Sequence, residues 1–243
     1  MKKALFLSLV SLFSMFTLAS CKVEVANKSK GDMKTWKVNA KDFDGIELAY
    51  PADVTYIPSS TYSVTVKAPS SMMDKLKIVV KNGKLEVYEN KTNKNGKRYI
   101  IFNSHHGDVD IVVKAPSISN VSIAGSGSFE CEKTMKAKNI QLSIAGSGEI
   151  DINDIQANTV IAEIAGSGDI EAGLTKVSTT SIDIAGSGDV EMNFRQCKEV
   201  KASIAGSGDI KLSGDIETLK QNVAGSGDIN IENLRIQGKN KFR

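Results

Sequence analysis

Aromatic residues are scarce in this chain, 6% of 243 residues, and within the glycine-rich repeats described below they shrink to Phe129 and Phe194. That stretch therefore lacks ring platforms on which sugars could stack. Histidine is scarcer still: only His105 and His106 occur, side by side in Asn103-Ser104-His105-His106-Gly107-Asp108. Neighbours on a strand face opposite ways, so the two rings do not meet at one metal ion without a turn, even with Asp108 or Asp110 close by. A polar loop is the simpler reading. Neither sign of charge is in excess. The formal net charge is +3, and loss of a leader carrying Lys2 and Lys3 would bring it near zero. That gives no electrostatic case for nucleic acid as a partner. No glycine cluster opens a helix carrying Lys and Ser/Thr, which excludes a phosphate-cradling loop.

Cysteine is also rare, at three residues, and each can be placed. Lys2 and Lys3 precede an apolar run over residues 4–18 that is too short for an ordinary membrane span. Leu18-Ala19-Ser20-Cys21 then matches the lipobox of bacterial lipoproteins. The match implies a signal peptide over residues 1–20, diacylglyceryl attachment to the Cys21 thiol and acylation of the new amino terminus. The lipid bilayer is then a partner without any basic patch, since each buried methylene contributes ~0.8 kcal/mol. Residues 21–35 read as a lipidated start and polar tether, and residues 36–243 as the folded domain, opening near Trp36. Cys131 and Cys197 lie in the first and fourth repeats. Three rungs of ~4.8 Å separate them by roughly 14 Å, whereas a disulfide needs Cα atoms within about 7 Å. Two buried, unpaired thiols are expected.

What the chain has in abundance is one motif. [Ile/Val]-Ala-Gly-Ser-Gly begins at Ile123, Ile144, Ile164, Ile184, Ile204 and Val223, with steps of 21, 20, 20, 20 and 19 residues. A near-constant period of this size marks a stacked solenoid. Six residues after each start stand Phe129, Ile150, Ile170, Val190, Ile210 and Ile229; eight after stand Cys131, Ile152, Ala172, Met192, Leu212 and Ile231. Four residues before the next start come Ile140, Val160, Thr180, Val200 and Leu219. Ala137, Ala157, Val177, Cys197 and Ile216 lie seven before it. Like stacks on like, and no turn can bury its inner face alone. Parallel crossovers are right-handed in about 98% of cases, and left-handed hexapeptide solenoids do not fit a period near twenty. The expected fold is all-β: a single-stranded, right-handed parallel β-helix of ~20 residues per turn.

The regular turns span about 123–232, with a polar cap over 233–243 to discourage pairing at the last edge. Less regular turns precede them. Short β-branched runs over 46–48, 54–57, 62–66, 77–80, 84–88, 99–102 and 109–113 read as strands, with Asn82-Gly83 a tight turn between two of them. Residues 71–76 suit one helical turn, and 90–97 a solvated loop. Val-Lys-Ala-Pro-Ser occurs twice, its proline ending each strand. The paired glycines Gly125 and Gly127, Gly146 and Gly148, Gly166 and Gly168, Gly186 and Gly188, Gly206 and Gly208, and Gly225 and Gly227 are expected to form corners needing positive φ. The serine between them is repeated six times, which argues against a nucleophile.

The lipobox, the irregular β-rich first half and the tandem Ile-Ala-Gly-Ser-Gly-Asp-[Ile/Val] turns resemble the bacterial lipoprotein family of the putative auto-transporter adhesin, head GIN domain. The resemblance covers roughly residues 36–235, including Asn82-Gly83-Lys84-Leu85-Glu86-Val87 and the Val-Lys-Ala-Pro before the first glycine turn. It implies a β-helix with no catalytic residues.

One outward feature invites chemistry. Glu149, Asp169, Asp189, Asp209 and Asp228 share one column, and Asp151, Glu171 and Glu191 a second, alongside Glu130. Carboxylates ~4.8 Å apart repel, and a hard cation such as Ca2+ would relieve that. The alternative, which we favour, is that Asp after Gly caps the turn and keeps the face soluble. Paired carboxylates also suit glycoside cleavage, but an active site breaks a repeat locally and this one is kept. No cofactor, no metal and no catalytic residue are therefore expected. The functional expectation is a lipid-anchored envelope protein, in the outer membrane, presenting a rigid module to an extracellular or envelope protein or glycan. A periplasm-facing scaffold is the alternative, and a polysaccharide-active enzyme a distant third.

Overall fold

The computed structural model describes residues 32–89 and 109–238, all within one compact unit, Gly31–Arg243. The leader, Cys21, most of the tether, the 90–97 loop, the 99–102 strand, His105 and His106, and residues 239–243 of the expected cap lie outside the described residues.

Among the described residues, seven strands make up the irregular part: β1 Met33–Val38, β2 Gly45–Ala49, β3 Asp53–Pro58, β4 Ser63–Pro69, β5 Leu76–Lys81, β6 Lys84–Glu89 and β7 Asp110–Ala115. The six described strand predictions fall on β2 to β7. The expected helical turn is a 3-10 turn, Ser70–Met72. Asn82 and Gly83 both have positive φ (51° and 75°), as a two-residue hairpin loop requires. The first strand reaches back to Met33, three residues before the expected start, because Met33 to Val38 pair with Pro69 to Val64.

The repeats supply β8 Asn120–Gly125, β9 Ser128–Lys136, β10 Asn139–Gly146, β11 Glu149–Gln156, β12 Thr159–Gly166, β13 Asp169–Thr175, β14 Thr179–Gly186, β15 Asp189–Gly206, β16 Ile210–Gly225 and β17 Ile229–Ile236. Stacked parallel strands form a β-solenoid of about six turns. Each turn has one strand before the glycine corner and one after it. The first stack runs β6, β2, β8, β10, β12, β14 and the second halves of β15 and β16. The second runs β7, β3, β9, β11, β13, the first halves of β15 and β16, and β17. Register is one motif per rung: Ile144 sits on Ile164, Ile164 on Ile184 and Ile184 on Ile204.

The alternation of side chains explains why this register holds. A one-residue slip would turn every apolar column outward. Phe129, Ile150, Ile170, Val190 and Ile210 are buried as expected, as are Cys131, Ile152, Ala172, Met192 and Leu212. Ala137 and Ala157 are only half-buried at the opposite corner. Two further core columns were not anticipated. Val121, Leu142, Ala162, Ile182 and Ala202 precede each motif, and Met135 and Ile155, which follow a bulge in β9 and β11, stack with Leu174 and Phe194. Both buried cysteines are free thiols.

The ladder is not parallel throughout. β4 runs antiparallel to both β1 and β7, and β5 antiparallel to β6. These reversals close the first end of the stack. The other end stops on β17, which continues through Asn233 to Ile236, residues the sequence had assigned to a polar cap. Leu234 and Ile236 instead pack against the core.

Candidate interaction face

The glycine corner positions everything on the outer face. The first glycine of each pair has positive φ, from 120° at Gly125 to 148° at Gly206. The second does not, and is needed for a different reason. A Cβ on Gly148 would fall 2.8 Å from the Gly127 carbonyl oxygen, so adjacent rungs approach too closely for any side chain. Between them, the serine contributes its backbone rather than its hydroxyl. The amides of Ser147, Ser167, Ser187, Ser207 and Ser226 each donate to the first glycine carbonyl one rung back, all at 2.8 Å.

The first acidic column leaves this corner already engaged. The Asp189 amide donates to Asp169 Oδ1 (3.1 Å), the Asp209 amide to Asp189 Oδ1 (2.9 Å) and the Asp228 amide to Asp209 Oδ1 (2.9 Å). Each aspartate thus caps the strand start of the next rung, the local hydrogen bonding weighed above against cation binding. The column begins earlier than the repeats suggested: Asp53 of β3 lies under Ser128, whose hydroxyl donates to Asp53 Oδ1 at 2.7 Å. Glu149 stacks between Ser128 and Asp169.

The second column is freer. Glu130, Asp151, Glu171 and Glu191 stack in register, ending in an ion pair from Lys211 Nζ to Glu191 Oε1 at 2.7 Å. That hydrogen bond, together with the Glu191 and Glu171 charges, raises the lysine's pKa. These acids line one side of an open groove of about 570 Å³; Glu132, Asn153, Asn193 and Arg195 line the other. Among the described residues, no three His, Cys, Asp or Glu side chains converge as a metal-binding set.

One end of the groove is locked by a network that periodicity did not reveal. Asp154 accepts from Thr175 Oγ1 (2.7 Å), Arg195 Nη2 (2.8 Å) and Thr134 Oγ1 (3.2 Å), while Arg195 Nε donates to Thr175 Oγ1 (3.0 Å). Burial alone would raise the Asp154 pKa, but the bonds from Thr175, Arg195 and Thr134 outweigh it and hold the carboxyl below its usual range. The clue in the sequence is Asn153-Asp154, where the strand bulges and the repeat loses its alternation. The two buried thiols shift the other way: burial pushes Cys131 up to about 11 and raises Cys197 as well.

With this geometry in place, known proteins give a frame. A family model described as "Putative auto-transporter adhesin, head GIN domain" matches residues 42–193 and 174–239. A solved putative adhesin from Bacteroides fragilis NCTC 9343 is similar over 82% of this chain and 96% of its own, at 19% identity and a TM-score of 0.64. A putative lipid binding protein from Parabacteroides distasonis ATCC 8503 aligns over the same shares, 82% and 96%, at 26% identity and a TM-score of 0.58. A putative adhesin from Parabacteroides merdae ATCC 43184 reaches 19% identity and a TM-score of 0.52 over 82% of this chain and 96% of its own. The likenesses at 19% identity carry the fold alone. No curated protein matches the chain.

Proposed function

The chain belongs to the family of the putative auto-transporter adhesin, head GIN domain, and from that premise we propose that it is an envelope lipoprotein, held through Cys21, whose β-solenoid serves as an adhesion or binding module. The family description points to binding rather than turnover. Beyond the family, the observation that carries the reading is the groove on the second stack. Its acids recur at the strand spacing on a backbone locked by corner and side-chain hydrogen bonds. Such a face is preorganised, so little ordering entropy is lost on binding. Its charge suits a basic segment of an extracellular or envelope protein, and its mixture of carboxylates, amides and a guanidinium offers donors and acceptors to a glycan.

Two measurements test this. The parent should take up acyl label and Cys21→Ser should not; a variant labelled like the parent, or a parent that takes no label, would end the anchoring half. Intact cells treated with an impermeant protease, and separately with antibody, test exposure against a periplasmic control. Labelling of unpermeabilised cells supports a surface module. Labelling only after permeabilisation would sink it and leave a periplasm-facing scaffold.

A further inference from the structure

The two ends of the solenoid are built differently. Among the described residues the edge strands at the first end are β1 and β5, and both carry lysine: Lys34 and Lys37 on β1, Lys77 and Lys81 on β5. Like charges along an edge discourage pairing with a second edge of the same kind. β17, the edge strand of the second stack at the last end, lacks this protection. Among the described residues β17 pairs only with β16, and its sequence Ile-Asn-Ile-Glu-Asn-Leu-Arg-Ile contains no lysine.

The order of exposed and half-buried residues along β17 is also the same in both directions. Ile229, Ile231, Leu234 and Ile236 face the core, while Asn230, Glu232, Asn233 and Arg235 face out. The symmetry arises because Glu232 and Asn233 share a bulge, where the register with β16 shifts. A contact across a two-fold axis must be self-complementary, and this strand meets that condition. We propose that the β17 edge binds a second copy of this chain, antiparallel, with the two-fold passing through the Glu232–Asn233 bulge. Ile231 then faces the second copy's Leu234, and Ile229 its Ile236, so both cores continue across the seam. On the outer face Asn230 meets Arg235, and Glu232 lies diagonal to Arg235, within reach of long side chains. Arg235 is already oriented by Asp215 of the previous rung, through bonds of 2.6 and 3.0 Å.

The diagonal charges give a test that leaves the core untouched. The full chain carrying Cys21→Ser is purified in mild detergent, so that the leader does not drive association, and its mass is measured by sedimentation across concentration. A dimer is expected. Glu232→Lys sets lysine against arginine, and Arg235→Glu sets glutamate against glutamate, so each alone should weaken association by about tenfold or more. An equimolar mixture of the two variants restores both attractions and should dimerise like the parent. A parent that stays monomeric at about 100 µM overturns the proposal, its edge then being covered by residues after Gly238 or by another protein. Dimerisation indifferent to both substitutions, or a mixture that fails to recover, overturns the antiparallel register.

Discussion

Thr180 occupies a position shaped for valine. It stacks between Val160 and Val200, is 1% exposed, and its hydroxyl has no hydrogen-bond partner. An unpaired buried hydroxyl costs roughly 1–3 kcal/mol. Thr180→Val keeps the shape and removes the cost, so the urea midpoint should rise by an amount equivalent to about 1 kcal/mol, with the slope unchanged. An unchanged or lower midpoint would mean that the hydroxyl is satisfied. Asp154 is the opposite case, a polar group fully used. Its folded pKa is depressed, so its stabilisation is present above the unfolded value near ~3.9 and fades as pH falls through the lower folded value. Asp154→Asn should therefore cost about 1–2 kcal/mol at neutral pH, where the carboxylate bonds to Arg195 and two threonines count most. The gap between variant and parent should close under acid, below the ordinary carboxylate range. A gap independent of pH would assign the loss to packing. Neither residue was legible as special: Thr180 reads as one more core position, and Asp154 depends on a bulge and on partners from three other rungs.

The glycine corner shows at the scale of the element what two small residues do. Gly125 has φ 120° and open space where a Cβ would stand, whereas Gly186 has φ 144° and the Gly166 carbonyl in the way. Alanine at Gly125 meets only backbone strain, of order 1–3 kcal/mol. Alanine at Gly186 meets strain and a clash, so Gly186→Ala should lower the midpoint markedly more than Gly125→Ala. Equal losses would show that φ alone governs the corner. The repeat made these corners, the strands around them and the two buried thiols legible, because each follows from counting along one column. It did not reveal that β2 and β3 form a rung of the same stack. There Tyr50-Pro51-Ala52 stands where Gly-Ser-Gly stands elsewhere, and Ile46 and Val54 lie under Val121 and Phe129. Nor did it show the antiparallel strands at the first end. Alternation identifies a strand but is silent on its direction, which is set by partners far away in sequence.

At the scale of the whole molecule, the unlike ends of the solenoid turn self-association into an adhesive geometry. β1 lies at one end of the second stack and β17 at the other, so a β17-to-β17 pair holds its two β1 strands at opposite extremes. Anchoring through Cys21, ahead of β1 in sequence, would then be expected to let the pair join two bilayers. The chain beginning at Cys21, coupled through the Cys21 thiol to maleimide lipid in vesicles, reproduces the arrangement, since Cys131 and Cys197 are buried and weakly acidic. Vesicles bearing the parent chain should cluster, seen as a rise in light scattering. Vesicles bearing only Glu232→Lys, or only Arg235→Glu, should stay dispersed, and mixing the two populations should restore clustering. If the pair forms in solution but no vesicles cluster, both copies sit on one membrane and the contact serves clustering in place. If parent vesicles cluster and the charge swaps make no difference, the adhesive surface lies on the acidic groove or another face, and the β17 edge has no part in it.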